Sequence, residues 1–417
     1  VFVLLFAGGW LSYHFIHKQS APSNQSSSGS SNGSETKQAP AVTPGLPPVP
    51  SGAFDVVKYG ADPTGQKDST VAIRNAIAAA EAASGNGHFQ TVYFPAGKYI
   101  LDDNDARTVD FQISTGRVNF LGAGRSDTDI VEEVGTYKYP SLKRGKTVFI
   151  FGKADSGFYF SGITVDCQTY NGGDTLDNYG GYATIEHDEF LGGYNGKGQI
   201  SDNNIDDFDM RDVAVCHRTA TGVIYGYSIG NVVDDVILNG KGVGGNADLD
   251  ITCQEDITIT DIVDTGWGVA LYSDKNATVT NYSYTPQVLS PGAAAVCQVY
   301  GCDFGYYVTT GYNVTINDFV TTGAGGVISG QGAKSTSDRP SNGVVINGEQ
   351  MKTPGFYLEI LNALNVKIRS SLVDRVKIHP PAPISGIDFL SSRIGAVQCG
   401  GKFAITDLVG AKCQAAS

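Results

Sequence analysis

Chemistry in this chain begins with carboxylates. In "NADLDITCQED", starting at Asn246, Ala247, Leu249, Ile251 and Cys253 alternate with Asp248, Asp250 and Thr252. On a strand whose apolar set faces a core, both aspartates point outward from one face, roughly 6.5–7 Å apart at ~3.3 Å rise per residue. That lies at the lower edge of the ~6.5–9.5 Å window of an inverting glycosidase pair, with one carboxyl protonating the leaving oxygen and the other activating water. Aromatic faces on which a sugar could stack lie on either side in sequence, Tyr225 and Tyr227 before the pair, Trp267 and Tyr272 after it. His217 and Arg218 just upstream could supply a proton carrier and a carboxylate-binding fork. A solvated acidic face or a weak calcium site is the bland reading of the same residues.

A second constellation follows Cys167, in "QTYNGGDTLDNYGGYATIEHDEFLGGYNGKGQ", which reads as a long insertion. It carries Glu186, His187, Asp188 and Glu189 among several tyrosines. A histidine beside carboxylates suits base-driven proton abstraction, the step a lyase or epimerase needs. His187 is the residue this reading rests on, and a solvated acidic loop is its bland counterpart.

Such residues need elements to hold them, and the chain supplies a repeat. Segments starting at Gly222, Asn246, Val269, Tyr306, Phe356 and Val376 each run about 22 residues with a short alternating strand, a polar or Asn/Gly corner and a second strand such as "DITITDI", "NATVTNY" or "NVTINDF". An earlier copy is "KADSGFYFSGITVDCQ", from Lys153. A unit of this size buries no core alone and must stack on its neighbours, which predicts a parallel β-helix. Glycine, 53 of 417 residues and nearly double the usual ~7%, fits many tight corners. Asn276, Asn281 and Asn313, each in a glycosylation sequon, read as corner residues.

Ahead of the repeats stands "FDVVKYGADPTGQKDSTVAIRNAIAAAE", Phe54 to Glu81, then "TVYFPAGKYIL", Thr91 to Leu101. Ser69 or Asp68 can cap a helix whose Ile73, Ala76, Ile77 and Ala80 form one apolar stripe, ended by Gly85 and Gly87. "TVYFPAGKYIL" reads as two short strands around a Pro-Ala-Gly corner. A β-helix ends in an open apolar core with unpaired edges, and this helix has the size and stripe to cover it.

These two opening stretches resemble the N-terminal signature of the pectate-lyase-like superfamily, the branch of polygalacturonase-like hydrolases and phage tailspikes. Over residues 54–101 the motif is long and specific; beyond them the resemblance is one of architecture. It implies an all-β, right-handed single-stranded parallel β-helix with an N-terminal capping α-helix, acting on polysaccharide. Of the polygalacturonase-like motifs, the Asn-Thr-Asp stretch has an echo in Asn246, Ala247 and Asp248, and the Arg-Ile-Lys stretch only partial ones in "VKIR" and "DRVKI".

Three regions result. Residues 1–18, opening "VFVLLFAGGWLSYHFI", are apolar over about 16 residues, short of the ~20 that span a bilayer, and read as a truncated signal or signal-anchor segment. Residues 19–53 are a Ser/Gly-rich then Pro-rich linker, and 54–417 are the β-helix. An extracellular place follows, secreted or anchored at the cell surface, with membrane contact through the N-terminal segment only. The net charge of −13 argues against a nucleic-acid partner, and a polyanionic sugar would need local basic groups or a bridging cation. Seven cysteines without a CxxC pair make neither a zinc site nor a disulfide scaffold, although Cys297 with Cys302 and Cys399 with Cys413 could close small loops. No cofactor is implied beyond room for Ca2+. The favoured function is a glycoside hydrolase on a uronic-acid-containing or related glycan. A polysaccharide lyase or epimerase, and a non-catalytic glycan-binding or structural surface β-helix, stay open.

Overall fold

The structure, a computed structural model, describes residues 48–101, 109–113, 117–132, 147–152, 157–167, 175–178, 180–192, 200–202, 228–239, 248–252, 254–266, 268–272, 274–286, 304–322, 324–329, 340–352, 357–378, 384–400, 405–410 and 412–415. The expected anchor and most of the linker fall outside them. Among the described residues no helix is long and apolar enough to cross a membrane.

Short strands pair in parallel with the equivalent strand of the next coil and build three faces. The first face runs through Phe54–Asp55, Gln90–Phe94, Val118–Gly122, Tyr159–Ser161, Thr184–Glu186, Val232–Asp234, the leading halves of Thr258–Gly266 and Thr278–Pro286, then Thr315–Asn317, Val345–Asn347 and Lys367–Arg369. The second runs through Gly97–Leu101, Thr128–Glu132, Thr164–Cys167, Glu189–Gly192 and Ile237–Asn239 into the trailing halves of the two long strands. The third runs through Val109–Ile113, Thr147–Phe151, Leu176–Asn178, Ile200–Asp202, Leu249–Thr252, Val269–Tyr272, Phe304–Thr309 and Ala324–Ser329. This is the parallel β-helix that the repeat predicts. Register steps from Thr258 to Thr278 and from Val345 to Lys367 show the bare coil, and longer steps such as Thr184 to Val232 show coils that carry extra chain.

Alternation along each strand sends one set of side chains into a continuous core. Its N-terminal part is a column of rings, Phe94, Phe120, Phe160 and Phe190, with successive centroids 6.4, 5.8 and 6.1 Å apart. Branched aliphatics such as Ile259, Val279, Ile316, Ile346 and Ile368 continue it. Over the leading end lies helix α1 (Thr70–Ala83), burying Thr70, Ile73, Ala76, Ile77 and Ala80. Asp68 provides its cap: Oδ1 accepts from the Thr70 backbone at 2.9 Å. Ser69, the other candidate, instead accepts from the Asp62 N–H through its hydroxyl. The expected strand pair around Pro95-Ala96 is present as Gln90–Phe94 and Gly97–Leu101. At the far end a Cys399–Cys413 disulfide fixes the last strand, whose Gln414 and Ala415 pair with Gln398 and Cys399; Cys297 and Cys302 lie outside the described residues.

Two columns of left-handed residues turn the chain. Before the first face stand Gly157, Tyr182, Gly230, Asp256, Asn276, Asn313, Gly343, Asn365 and Gly386. Between the first and second faces stand Gly162, His187, Asp235, Asp261, Asn281, Asp318, Gly348, Ser370 and Ser391. Asn and Asp tolerate this conformation and hydrogen-bond locally, which explains their recurrence in the repeat. Their side chains also bond from coil to coil: Asn276 donates to Asp256 at 2.8 Å and Asn281 to Asp261 at 2.5 Å. All three sequon asparagines are such corner residues.

From Gly162 onward the corner between the first and second faces is always tight. Every longer excursion, 203–227, 287–303 and 330–339 included, leaves or enters the third face.

Candidate functional site

The expected aspartate pair does not form. Residue 248 precedes the strand, which starts at Leu249, so alternation does not extend to it. Asp248 is 2% exposed and Asp250 1%, so neither carboxyl is displayed to solvent as the sequence reading expected. Asp248 makes a hydrogen bond with Asp264, an inward residue of Thr258–Gly266 whose Oδ2 also accepts from the Tyr282 hydroxyl at 2.5 Å. Burial first, then the neighbouring Asp248 charge, hold the Asp264 carboxyl well above the usual carboxylate range. Their setting is the core, where Tyr282 stacks on Phe319 at 5.3 Å.

Asp250 lies on the other side of its strand, away from Leu249 and Ile251. Its ladder neighbours are Ser201 and Ala270, and Asp177 stands one step beyond Ser201. Tyr272 is buried on this outer side with Ala270 and Tyr307, so neither of its ring faces is displayed as the sequence reading expected. Burial, then the Asp250 charge, push its phenol up. His217, Arg218, Tyr225, Tyr227 and Trp267 lie outside the described residues.

The second constellation is assembled, though not on an insertion. Leu176–Asn178, Thr184–Glu186 and Glu189–Gly192 are ladder strands of an ordinary coil, and the longer connections follow Gly192 and Asp202. His187 is the corner residue between Thr184–Glu186 and Glu189–Gly192, with φ +58°. Its Nδ1 meets Asp235 Oδ2, the corner residue of the next coil, at 2.7 Å. Arg125 reaches the same corner from the turn at 123–127, donating to the Asp235 carbonyl at 2.7 Å and to Oδ1 at 3.2 Å. That turn is pinned by Thr164, whose hydroxyl donates to the Arg125 carbonyl at 2.5 Å. On the first face, Tyr159 donates to Glu186 Oε1 at 2.6 Å, and the same oxygen lies 3.9 Å from His187 Nε2.

Arg125, His187, Glu186 and Asp235 are all partly exposed, so a ligand can reach them. Burial, then the Glu186 hydrogen bond, push the Tyr159 phenol far up, so it is neutral and a proton donor across the ordinary pH range. Beneath the cluster Asp188 is fully buried, accepts from the Ile163 backbone at 2.8 Å, and is driven well above the usual range by burial. Asp188 serves the corner; Glu186 and His187 serve the surface. Among the described residues no group of three or more His, Cys, Asp or Glu could hold a metal ion.

Of this cluster, sequence reasoning reached Glu186 and His187 and missed Arg125, Tyr159 and Asp235. Asp235 had a signal, since it occupies the corner position that Asp261, Asn281 and Asp318 fill in other coils. Arg125 had none, because its contact spans 110 residues of sequence.

With three parallel faces, an N-terminal helical cap and this corner cluster in place, the chain falls in the class of pectate-lyase-like parallel β-helices. The family described as "Rhamnogalacturonase A/epimerase, pectate lyase-like" matches residues 53–305, and the chain belongs to it. Among curated relatives, the mannuronan C5-epimerases AlgE1 and AlgE3 of Azotobacter vinelandii are each 27% identical over 231 residues, 52% of this chain. The chain spans only 16% and 12% of their lengths. Among solved structures, the A-module of mannuronan C-5 epimerase AlgE6 from A. vinelandii has a TM-score of 0.41 and 16% identity, covering 85% of this chain and 92% of that one. A GH87 alpha-1,3-glucanase catalytic unit from Streptomyces thermodiastaticus has a TM-score of 0.40 and 15% identity, covering 88% and 70%.

Proposed function

We propose that this protein acts on a uronic-acid polysaccharide by proton transfer at C5, as an epimerase or lyase, with His187 as the base. The observation that carries this reading is the His187–Asp235–Arg125 arrangement beside Tyr159 and Glu186. The epimerase activity named for the two sequence relatives is of the same kind. Asp235 engages Nδ1 and orients the ring, leaving Nε2 as the nitrogen that meets substrate. A C5–H bond breaks as Nε2 takes the proton, and its electron pair passes into the adjacent carboxyl group. Arg125 has guanidinium nitrogens beyond the Nη1 that engages Asp235, and their N–H groups offset the charge that develops there. Arg125 is also the local base that a polyanion needs on a chain of net charge −13. Reprotonation from the opposite side of the ring, for which the neutral Tyr159 phenol is a donor, gives the epimer. Departure of the C4 oxygen instead gives an unsaturated sugar and a shortened chain.

The test is incubation with mannuronan and with polygalacturonate in heavy water. Deuterium at C5 without new reducing ends is the epimerase outcome, and an ultraviolet-absorbing product the lyase outcome. Reducing ends with neither signal would reject the proposal and favour hydrolysis.

A further inference from the structure

Tyr182 breaks a rule that its own column obeys. Every other described member of the corner column before the first face is Gly, Asn or Asp. Those three residue types take a left-handed backbone at little cost; a bulky side chain there is an outlier that the fold itself does not call for. Tyr182 has φ +56° and is 63% exposed, the most exposed large apolar side chain among the described residues. The Cδ1–Cε1 edge of its ring lies against Gly230, the next residue of the column, where an added Cβ would come within 2.8 Å of Cδ1. The ring is held along that edge, and most of it is open to solvent. The local backbone is already satisfied, since the Tyr182 N–H donates to the Ile229 carbonyl at 2.7 Å.

Its position relative to the cluster gives the ring a use. Tyr182 and His187 bracket the strand Thr184–Glu186, one at each corner of the same face. Five residues of extended chain place their Cα atoms roughly 16 Å apart, more than twice the ~4.5–7 Å of a single ring-on-ring contact. One sugar cannot touch both.

We propose that Tyr182 is a stacking platform for a sugar remote from the reacting one, so that the chain of an acidic polysaccharide crosses the first face from Tyr182 toward His187. The inference rests on the reading of the His187 cluster given above. It makes the substrate a polymer or long oligosaccharide, with discrimination against short uronates built into the fold.

The experiment uses the full chain and measures binding by calorimetry to mannuronan and to dimannuronate, with thermal unfolding in parallel. Tyr182→Asn should weaken mannuronan binding roughly three- to tenfold, with the loss confined to the polymer. Its melting temperature should be unchanged or higher, because the strained residue is gone. Tyr182→Phe should keep wild-type affinity. Unchanged polymer affinity in Tyr182→Asn would overturn the platform while leaving the His187 reading intact; a lower melting temperature with unchanged affinity would assign the ring to packing on Gly230. Failure of the wild type to bind mannuronan would remove the His187 reading, and the platform with it.

Discussion

His187 and Glu349 show two uses of a titratable group in one scaffold. His187 sits at a partly exposed corner with one ring nitrogen engaged, so His187→Gln should lower turnover roughly 10²–10⁴-fold with the melting temperature little changed. A rate within a factor of two of wild type, measured by deuterium exchange, would remove it from the mechanism. Glu349 is fully buried, with Oε2 accepting from the Tyr306 hydroxyl at 3.2 Å, and burial raises its pKa from 4.5 to about 7. The folded state therefore holds a proton that the unfolded chain has released. Its contribution is complete below about pH 4.5, declines as pH rises towards 7, and is lost above that. Glu349→Gln should flatten this decline and raise the melting temperature at pH 8 relative to wild type. Equal pH slopes in the two proteins would show that Glu349 does not titrate there.

At the scale of elements, helix α1 illustrates how the fold closes itself. It packs on the leading strands with Ile73 and Ala76 fully buried, and Arg74 ties it down by donating from Nε to the Asp110 carbonyl at 2.9 Å. Ile73→Ala should cost about 2–5 kcal/mol in chemical denaturation. Deleting 68–84 should produce aggregation detectable by light scattering, because the apolar end and its strand edges would be uncovered. A soluble monomeric deletion would show that the first coil closes the core unaided. The corner columns are the second device, setting register through Asn and Asp side chains that bond between coils. His187 and Asp235 occupy one of these ordinary corner positions, and Arg125 arriving from a longer turn makes that corner chemically different from the rest.

For the molecule as a whole, stacked coils share one core, so residues from about 54 onward should unfold together. Limited proteolysis should trim the N-terminal segment and leave one resistant fragment; two stable halves would mean that the stack is divided. The Cys399–Cys413 link sits at the end of this stack. Cys413→Ser should loosen only the last coil, seen as faster amide exchange over 393–415 with 230–330 unaffected.

The repeat, the capping helix, the corner asparagines and the terminal disulfide were all legible in the sequence, because each depends on local spacing: alternation within a strand, a stripe on one helix, a recurring Asn or Asp after a fixed number of residues. The site was legible only in part. Glu186 and His187 stand in one short stretch and declared themselves, whereas Asp235 meets His187 across 48 residues of sequence and Arg125 meets Asp235 across 110, contacts made only because their coils are neighbours in space. Alternation also misjudged Asp248, since it fixes a side chain's direction only within a strand, and the strand begins one residue later, at Leu249. Where each strand starts, and which coil lies over which, are decided by the stacking of the whole helix.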